Sequence, residues 1–409
     1  MSWRRTGLVF FITTLIFMSC SVNTGLDNAH RKGFPEFRDK NVAVVTNHTA
    51  LDRDGNHIVD LLFETEGVTL KAIMAPEHGF RGDVEAGEHV DKEIDPKTGV
   101  PVLSIYGRTR KPTPDMLADV DAIIFDIQDI GARFYTYIST MFNVMEAGAE
   151  NGIPVYIMDR PNPIGRLAEG PVMQNEFVSF VGMFAIPLRH GMTVGELALM
   201  IKDRSWINEA AELELHIIEC SGWNPNKGYE KTRFEWIPPS PNIRNLNQAL
   251  VYPGTCLFEA CNFSEGRGTL HPFEWVGAPY VDSEVLIAEL HKRDIKGLEI
   301  LPVTFTPENI PGAAMNPKYL GELCHGIQIR VTDPVHFRSV EFGIHLIDVL
   351  NTLYPGQFLI SRPDWMNALW GNRTVLDMLR EGRPADEIIE AYREELDAFN
   401  QLRQEYLLY

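Results

Sequence analysis

The chain has 409 residues, 37 Lys and Arg against 56 Asp and Glu, a formal net charge of −19 and 44% hydrophobic residues. This ordinary apolar content excludes a disordered chain, since there is enough apolar surface to offset the entropy of ordering. The acidic balance, without any clustered Lys/Arg run, argues against nucleic acid or anionic lipid as the main partner. At roughly 100–200 residues per domain, two or three domains are expected. Gly (32) and Pro (26) are abundant but follow no period, which predicts many turns.

Residues 1–20 depart from this picture, because Arg4 and Arg5 precede an apolar run, 8–18, that ends at Ser19-Cys20. The pattern is that of a secretory signal, too short for a transmembrane helix of about 20 residues. A small residue directly before a Cys resembles the lipobox of bacterial lipoproteins, with Phe17 where an aliphatic is usual, and predicts lipidation of Cys20. Ordinary signal cleavage is the alternative. Either way the mature body is exported, periplasmic or at the cell surface, and more acidic still without Arg4 and Arg5. An exported compartment permits disulfides, but Cys220, Cys256, Cys261 and Cys324 show no C-x-x-C spacing, and buried free thiols are the expectation.

After a polar leader, short and nearly continuous apolar runs predict strands at 42–46, 70–75, 102–105, 122–127 and 155–158, each covered on both faces. Helical periodicity falls at 57–66, 113–117 and 135–150, the last closed by Gly152. Strands alternating with helices predict βαβ units and an α/β, Rossmann-like, doubly wound parallel sheet over 38–248. A further helix over 194–202 follows Thr193 with Glu196 three residues on, a capping box, and a strand over 213–219 closes this half. The run Trp236-Ile-Pro-Pro-Ser-Pro-Asn-Ile-Arg-Asn245 sustains neither helix nor central strand, and marks a linker or an active-site loop. The remainder, 249–409, reads as a smaller α+β domain: a Gly-rich loop at 264–269, helices at 283–293 and 385–407, and strands at 303–306 and 325–331.

Ligands of an open parallel sheet bind beyond the carboxyl ends of the strands. Polar residues collect there: Asn47-His48 after the first strand, Glu77-His78 after the second, Gln128-Asp129 after the fourth and Asp159-Arg160 after the fifth. Neither a G-x-G-x-x-G nor a Walker A motif occurs, so no nucleotide cofactor is expected. In Pro76-Glu77-His78-Gly79-Phe80-Arg81-Gly82 a carboxylate, an imidazole and a guanidinium fall within five residues. Glu77 supported by His78 reads as a general acid or base, its pKa raised between a proline and an aromatic; a structural Glu77–Arg81 ion pair is the alternative. Arg133, Tyr135 and Tyr137 offer an anion contact and aromatic faces, or core packing. Asp159-Arg160-Pro-Asn162 forms a rigid polar turn, His190 adds an imidazole, and Glu259, Asn262, Glu265 and Arg267 surround a Gly-flanked loop. A metal site finds no support, because H-E-x-x-H and clustered Cys/His patterns are absent.

These segments resemble the exo-β-N-acetylmuramidase family, NamZ. The likeness runs through Pro76-Glu-His-Gly-Phe-Arg-Gly82, Phe125-Asp-Ile-Gln-Asp129, Asp159-Arg-Pro-Asn-Pro163, Arg189-His-Gly-Met-Thr193, Tyr252-Pro-Gly-Thr-Cys-Leu-Phe-Glu259, Ser264-Glu-Gly-Arg-Gly-Thr269 and Tyr406-Leu-Leu-Tyr409. It implies an active-site cleft between the two domains and release of terminal N-acetylmuramic acid from the non-reducing end of peptidoglycan fragments. Such hydrolysis usually needs an acid for the leaving oxygen and a second group at the sugar. Glu77 fits the first role, and Glu265 or Asp129 the second. The lactyl carboxylate of muramic acid suits an arginine fork, with Arg81, Arg133, Arg160 and Arg267 as candidates, and Tyr135 or Phe80 offers a face to the sugar ring. Two other readings use the same residues: a non-catalytic lipoprotein that binds muropeptides, and a metal-dependent hydrolase such as a deacetylase.

Overall fold

The structure is a computed structural model that describes residues 21–76, 80 and 93–409. The predicted signal with Cys20, and Glu77, His78 and Arg81, lie outside the described residues. In chain order the first half runs α1 (Gly25–Arg31), β1 (Lys40–Thr46), α2 (Ile58–Glu64), β2 (Val68–Ala75), β3 (Glu93–Ile94), β4 (Pro101–Ser104), β5 (Ala122–Asp126), α3 (Tyr137–Asn151), β6 (Val155–Met158), β7 (Glu169–Val172), β8 (Pro187–Arg189), α4 (Val194–Asp203) and β9 (Leu215–Ile218). Among the described residues, seven of these strands form one sheet in the order β3-β4-β2-β1-β5-β6-β9. It is parallel except at its edge, where β3 runs antiparallel to β4. The strand order reverses between β1 and β5, so the predicted doubly wound sheet has its switch point there.

The apolar runs are continuous because both faces of the sheet are covered. Along β1, Val42 and Val44 enter one hydrophobic cluster with α1 and α2, while Ala43 and Val45 enter the other, which continues into the second half of the chain. The helices begin and end where their sequences say. Thr193 and Glu196 form the reciprocal capping box of α4, and Gly152 closes α3 in the left-handed conformation at φ 63°. The predicted helix at 113–117 is instead a run of turns: Pro112 and Pro114 cannot donate, and Asp119 takes a left-handed φ of 57°.

The second half comprises α5 (Leu246–Thr255), β10 (Trp275–Ala278), α6 (Ser283–Leu290), β11 (Leu298–Phe305), β12 (Cys324–Val331), α7 (Ser339–Leu353), α8 (Pro363–Trp370), α9 (Arg373–Arg380), α10 (Ala385–Ala391) and α11 (Arg393–Leu402). A small antiparallel sheet, β10-β12-β11, packs beside the buried pair α5 and α7. These two helices touch backbone to backbone: a Cβ on Gly254 would stand 1.9 Å from the carbonyl oxygen of Ser339, and one on Gly343 would stand 2.6 Å from that of Gly254. The expected 385–407 helix is broken at buried Tyr392, whose φ of −106° and ψ of 4° leave the helical region. Beyond the break, Arg403 donates to the carbonyls of Arg166, His190 and Gly191, returning the chain to the first half. Cys220, Cys256, Cys261 and Cys324 are buried and free.

Candidate active site

At the switch point the backbone of β1 runs into Asn47, whose buried side-chain oxygen accepts from the Thr49 amide at 3.0 Å and its hydroxyl at 2.6 Å. The Asn47 Nδ2 has no hydrogen-bond partner among the described residues. From β5, Asp126 meets Arg160 in a two-pronged buried pair, Nε to Oδ1 at 2.5 Å and Nη2 to Oδ2 at 2.9 Å. Gln128 next to it donates to the carbonyls of Asp129 and Pro161. Gln128 and Arg160, with Thr49, Tyr229 and Trp236, line a cavity of about 240 Å³ over these strand ends.

Several polar side chains at the same edge are committed to the scaffold. Asn162 donates to the Met192 carbonyl and accepts from the Ile164 amide. His190 Nδ1 accepts from the Met192 amide, so the ring proton sits on Nε2, 3.6 Å from Asp129 Oδ2. That carboxylate oxygen already accepts from the Gly131 amide at 2.6 Å, and Oδ1 has no partner. Asp159 accepts from the Thr193 hydroxyl, the Gly195 and Arg160 amides and the Tyr409 hydroxyl, tying the α4 N-terminus to the end of the chain. Burial nevertheless pushes its pKa up to about 6, against these donors.

This shift has a defined sign. Between about pH 4 and 6 the folded protein holds a proton on Asp159 that the unfolded chain has released, so its contribution to stability is full below that window and lost as pH rises through 6. The step from the ordinary 3.8 to about 6 corresponds to ~3 kcal/mol. Unfolding free energies compared between Asp159→Asn and the parent should therefore differ in slope over pH 4–6, and parallel profiles would refute the assignment.

The second cavity, about 220 Å³, lies between the halves. The first half supplies Phe134 to Thr136, directly ahead of α3, and Tyr137, its first residue, and the second supplies Tyr252 of α5, Glu259, Arg267, Phe273 and Trp365. Its wall is an edge-to-face aromatic series: Tyr137 with Tyr135 at 5.1 Å between ring centroids, Tyr135 with Tyr252 at 6.0 Å and Tyr252 with Phe273 at 4.7 Å. Arg267 and Glu259 are the only charged lining residues described; they pair at 2.8 Å, and Trp365 donates to the other Glu259 oxygen at 3.2 Å. Behind them, Glu265 takes Lys318 at 2.7 Å and Arg267 Nε at 3.6 Å. Burial alone would raise the Glu265 carboxyl, but Lys318 and then Arg267 outweigh it and hold it below the usual carboxylate range. Glu265 is thus an ionised group that aims Arg267.

Tyr135, Glu259 and Arg267 are therefore brought together in the cavity between the halves, and Gln128 and Arg160 in the cavity over the switch point. Arg133 is not an anion contact. It is fully buried, and its guanidinium is spent on four carbonyls: those of Pro171, Ile186, Leu369 and Trp370. Asn262 is likewise spent on the turn that holds Gln357 and Leu359. Asn47, Asp129, Asp159, Asn162, His190 and Glu265 line neither cavity. Tyr137 joins Tyr135 in the cavity between the halves, and the structure adds Tyr252, Trp365, and Ser240 to Ile243 from the Pro-rich run, which caps both cavities: His48 Nε2 bonds the Pro238 carbonyl and Tyr137 donates to that of Pro239. The prolines of that run were the available signal. Among the described residues no group of three or more His, Cys, Asp or Glu is arranged to hold a metal.

Residues 42–247 match the family described as exo-β-N-acetylmuramidase NamZ, N-terminal, and residues 250–409 match its C-terminal counterpart. The chain belongs to the NamZ family. A peptidoglycan β-N-acetylmuramidase NamZ of Bacillus subtilis is 40% identical over 389 residues, covering 95% of this chain and 91% of that protein. Two crystal structures of DUF1343 family proteins from Bacteroides fragilis share the architecture. One is 33% identical with a TM-score of 0.88 and the other 35% identical with a TM-score of 0.74, each covering 95% of this chain and 99% of theirs. The NamZ match spans both halves of the chain, and hence both walls of the cavity between them.

Proposed function

We propose that the protein is an exo-β-N-acetylmuramidase, a glycoside hydrolase that releases terminal N-acetylmuramic acid from the non-reducing end of peptidoglycan fragments in cell-wall turnover. The observation that carries this reading is the aromatic cavity between the two NamZ halves, with Arg267 the one guanidinium among its described lining residues. Aromatic faces suit the apolar face of a sugar ring, and Arg267, already steered by two carboxylates, suits the lactyl carboxylate. Glu77 is assigned as the acid that protonates the leaving oxygen. Glu265, ionised and doubly paired, fits electrostatic support better than proton donation.

Incubation with a MurNAc–GlcNAc disaccharide should release free MurNAc at a rate indifferent to chelator. Binding without turnover would replace this reading by a muropeptide-binding protein, and loss of activity on chelation by a metal-dependent hydrolase. We further propose that the protein is exported and held to a membrane by a lipid at Cys20, on the strength of the basic residues, apolar run and Ser19-Cys20 at its start. Among the described residues no helix is long and apolar enough to cross a membrane. Cys20→Ser should move the protein from the membrane to the soluble fraction; an unchanged distribution would exclude the anchor.

A further inference from the structure

A third cavity, of about 270 Å³, lies between the halves on a different side of the loop at 225–229, the loop whose Tyr229 faces the switch-point cavity. Its walls come from the loop after β6, from Pro225 to Gly228, from the residues just ahead of α7, and from the C-terminal segment. Four of its lining residues are arginines, Arg166, Arg189, Arg338 and Arg403, and none of the lining residues described is acidic. In a chain with a formal charge of −19 this is a local reversal of sign.

Two of the four have ion pairs among the described residues. Arg166 pairs with Glu196 at 2.9 Å and Arg189 with Glu169 at 2.9 Å, both carboxylates lying outside the lining. Arg403 has carbonyls for partners and no carboxylate within ion-pair reach among the described residues. Burial and then Arg166 push its pKa down to about 10, with Glu196 opposing them and Arg189 adding a smaller push. Arg338 stands directly before the first residue of α7, has no ion pair among the described residues, and its buried Nη1 has no hydrogen-bond partner. The first amide of that helix, Ser339, donates to Glu169, the carboxylate that pairs Arg189, so the helix end adds no free field. Glu341, one turn along, lines a neighbouring cavity together with Arg338 and His345.

We propose that this cavity is a binding site for a compact dianionic oxyanion of the phosphate class, inorganic phosphate or a phosphomonoester group. Two guanidiniums without an ion pair among the described residues match two negative charges, and an arginine with an unused N–H is suited to the forked acceptor geometry of a phosphate. Because its walls come from both halves, the anion would stabilise their association by binding the folded state alone. The site stands whether or not the muramidase reading holds, since none of its arginines lines the cavity assigned to the sugar.

The test is calorimetric titration and thermal unfolding of the whole protein at neutral pH and constant ionic strength, with inorganic phosphate, a short dicarboxylate and chloride as separate arms. Phosphate should bind saturably and raise the unfolding temperature, the dicarboxylate should bind more weakly, and chloride should do neither. Arg338→Ala should weaken phosphate at least about tenfold, the scale of a lost charge-assisted hydrogen bond. Arg338→Lys should fall between, and Arg373→Ala, at an exposed arginine elsewhere, should bind as the parent does. No saturable phosphate binding, an equal response to chloride, a preference for the dicarboxylate, or unchanged affinity in both Arg338 variants would each overturn the proposal.

Discussion

Glu77→Gln is expected to cut the release of MurNAc from the disaccharide by about a thousandfold in kcat, within the range that a positioned acid contributes, with KM and unfolding temperature close to those of the parent. The amide keeps the shape and one acceptor of the carboxyl but has no proton to give the departing oxygen. In sequence Glu77 follows by two residues the end of β2, the strand beside β1 at the centre of the sheet. A second substrate separates this role from a loss of folding. An aryl glycoside whose phenolate leaves unaided needs little protonation, so the variant should recover most of the parent's rate of aglycone release on it. Equal loss on both substrates, or a variant retaining more than about a tenth of the parent's activity on the disaccharide, would remove Glu77 from the acid role.

Arg133→Met should cost about 3–5 kcal/mol of stability, the scale associated with breaking a buried charged network. The residue sits where a backbone problem arises. Leu369 and Trp370 end α8, and their carbonyls are among the last of the helix and lack intrahelical partners. Arg133 Nη2 donates to both at 2.8 Å, while Nη1 serves Pro171 of β7 at 3.0 Å and Ile186 at 2.8 Å. A cation at a helix C-terminus is also favoured by the helix dipole. Methionine fills part of the volume and leaves four acceptors in a buried site, each costing roughly 1–3 kcal/mol if unrelieved. Burial pushes the guanidinium pKa down to about 9, so it is still charged at neutral pH. Urea unfolding should show a lower midpoint with an unchanged slope. A loss below about 1 kcal/mol would mean that the carbonyls find other donors.

What the sequence discloses and what it hides divide along a physical line. Runs such as Val42 to Val45 are legible because each residue is buried on one face or the other of a single sheet, and caps such as Thr193 with Glu196 because their partners are three residues apart. Chemistry at the strand ends is legible as residue type, but its direction is not. Arg133 and Arg267 look alike in sequence, yet the first is turned inward by carbonyls as far away as Leu369 and Trp370, while the second is turned into the cavity by Glu259 and Glu265 close by. Asp159 reads as a site residue until Tyr409, at the other end of the chain, is seen to occupy it. The antiparallel strand β11 is legible only over its last residues, because exposed Glu299 interrupts the apolar pattern at its start.

The return of the C-terminal segment has a mechanical consequence. Residues 245–246 carry the chain out of the first half, and α11 with the turn after it carries it back, where Arg403 holds the carbonyls of Arg166, His190 and Gly191, Tyr406 holds Asp203 and Tyr409 holds Asp159. Two such crossings remove the freedom that a single linker would leave. Swinging the halves apart about residues 245–246 requires breaking every one of those bonds and parting a hydrophobic cluster that both halves share. The described walls of the cavity between the halves therefore behave as a fixed slot and not as a jaw.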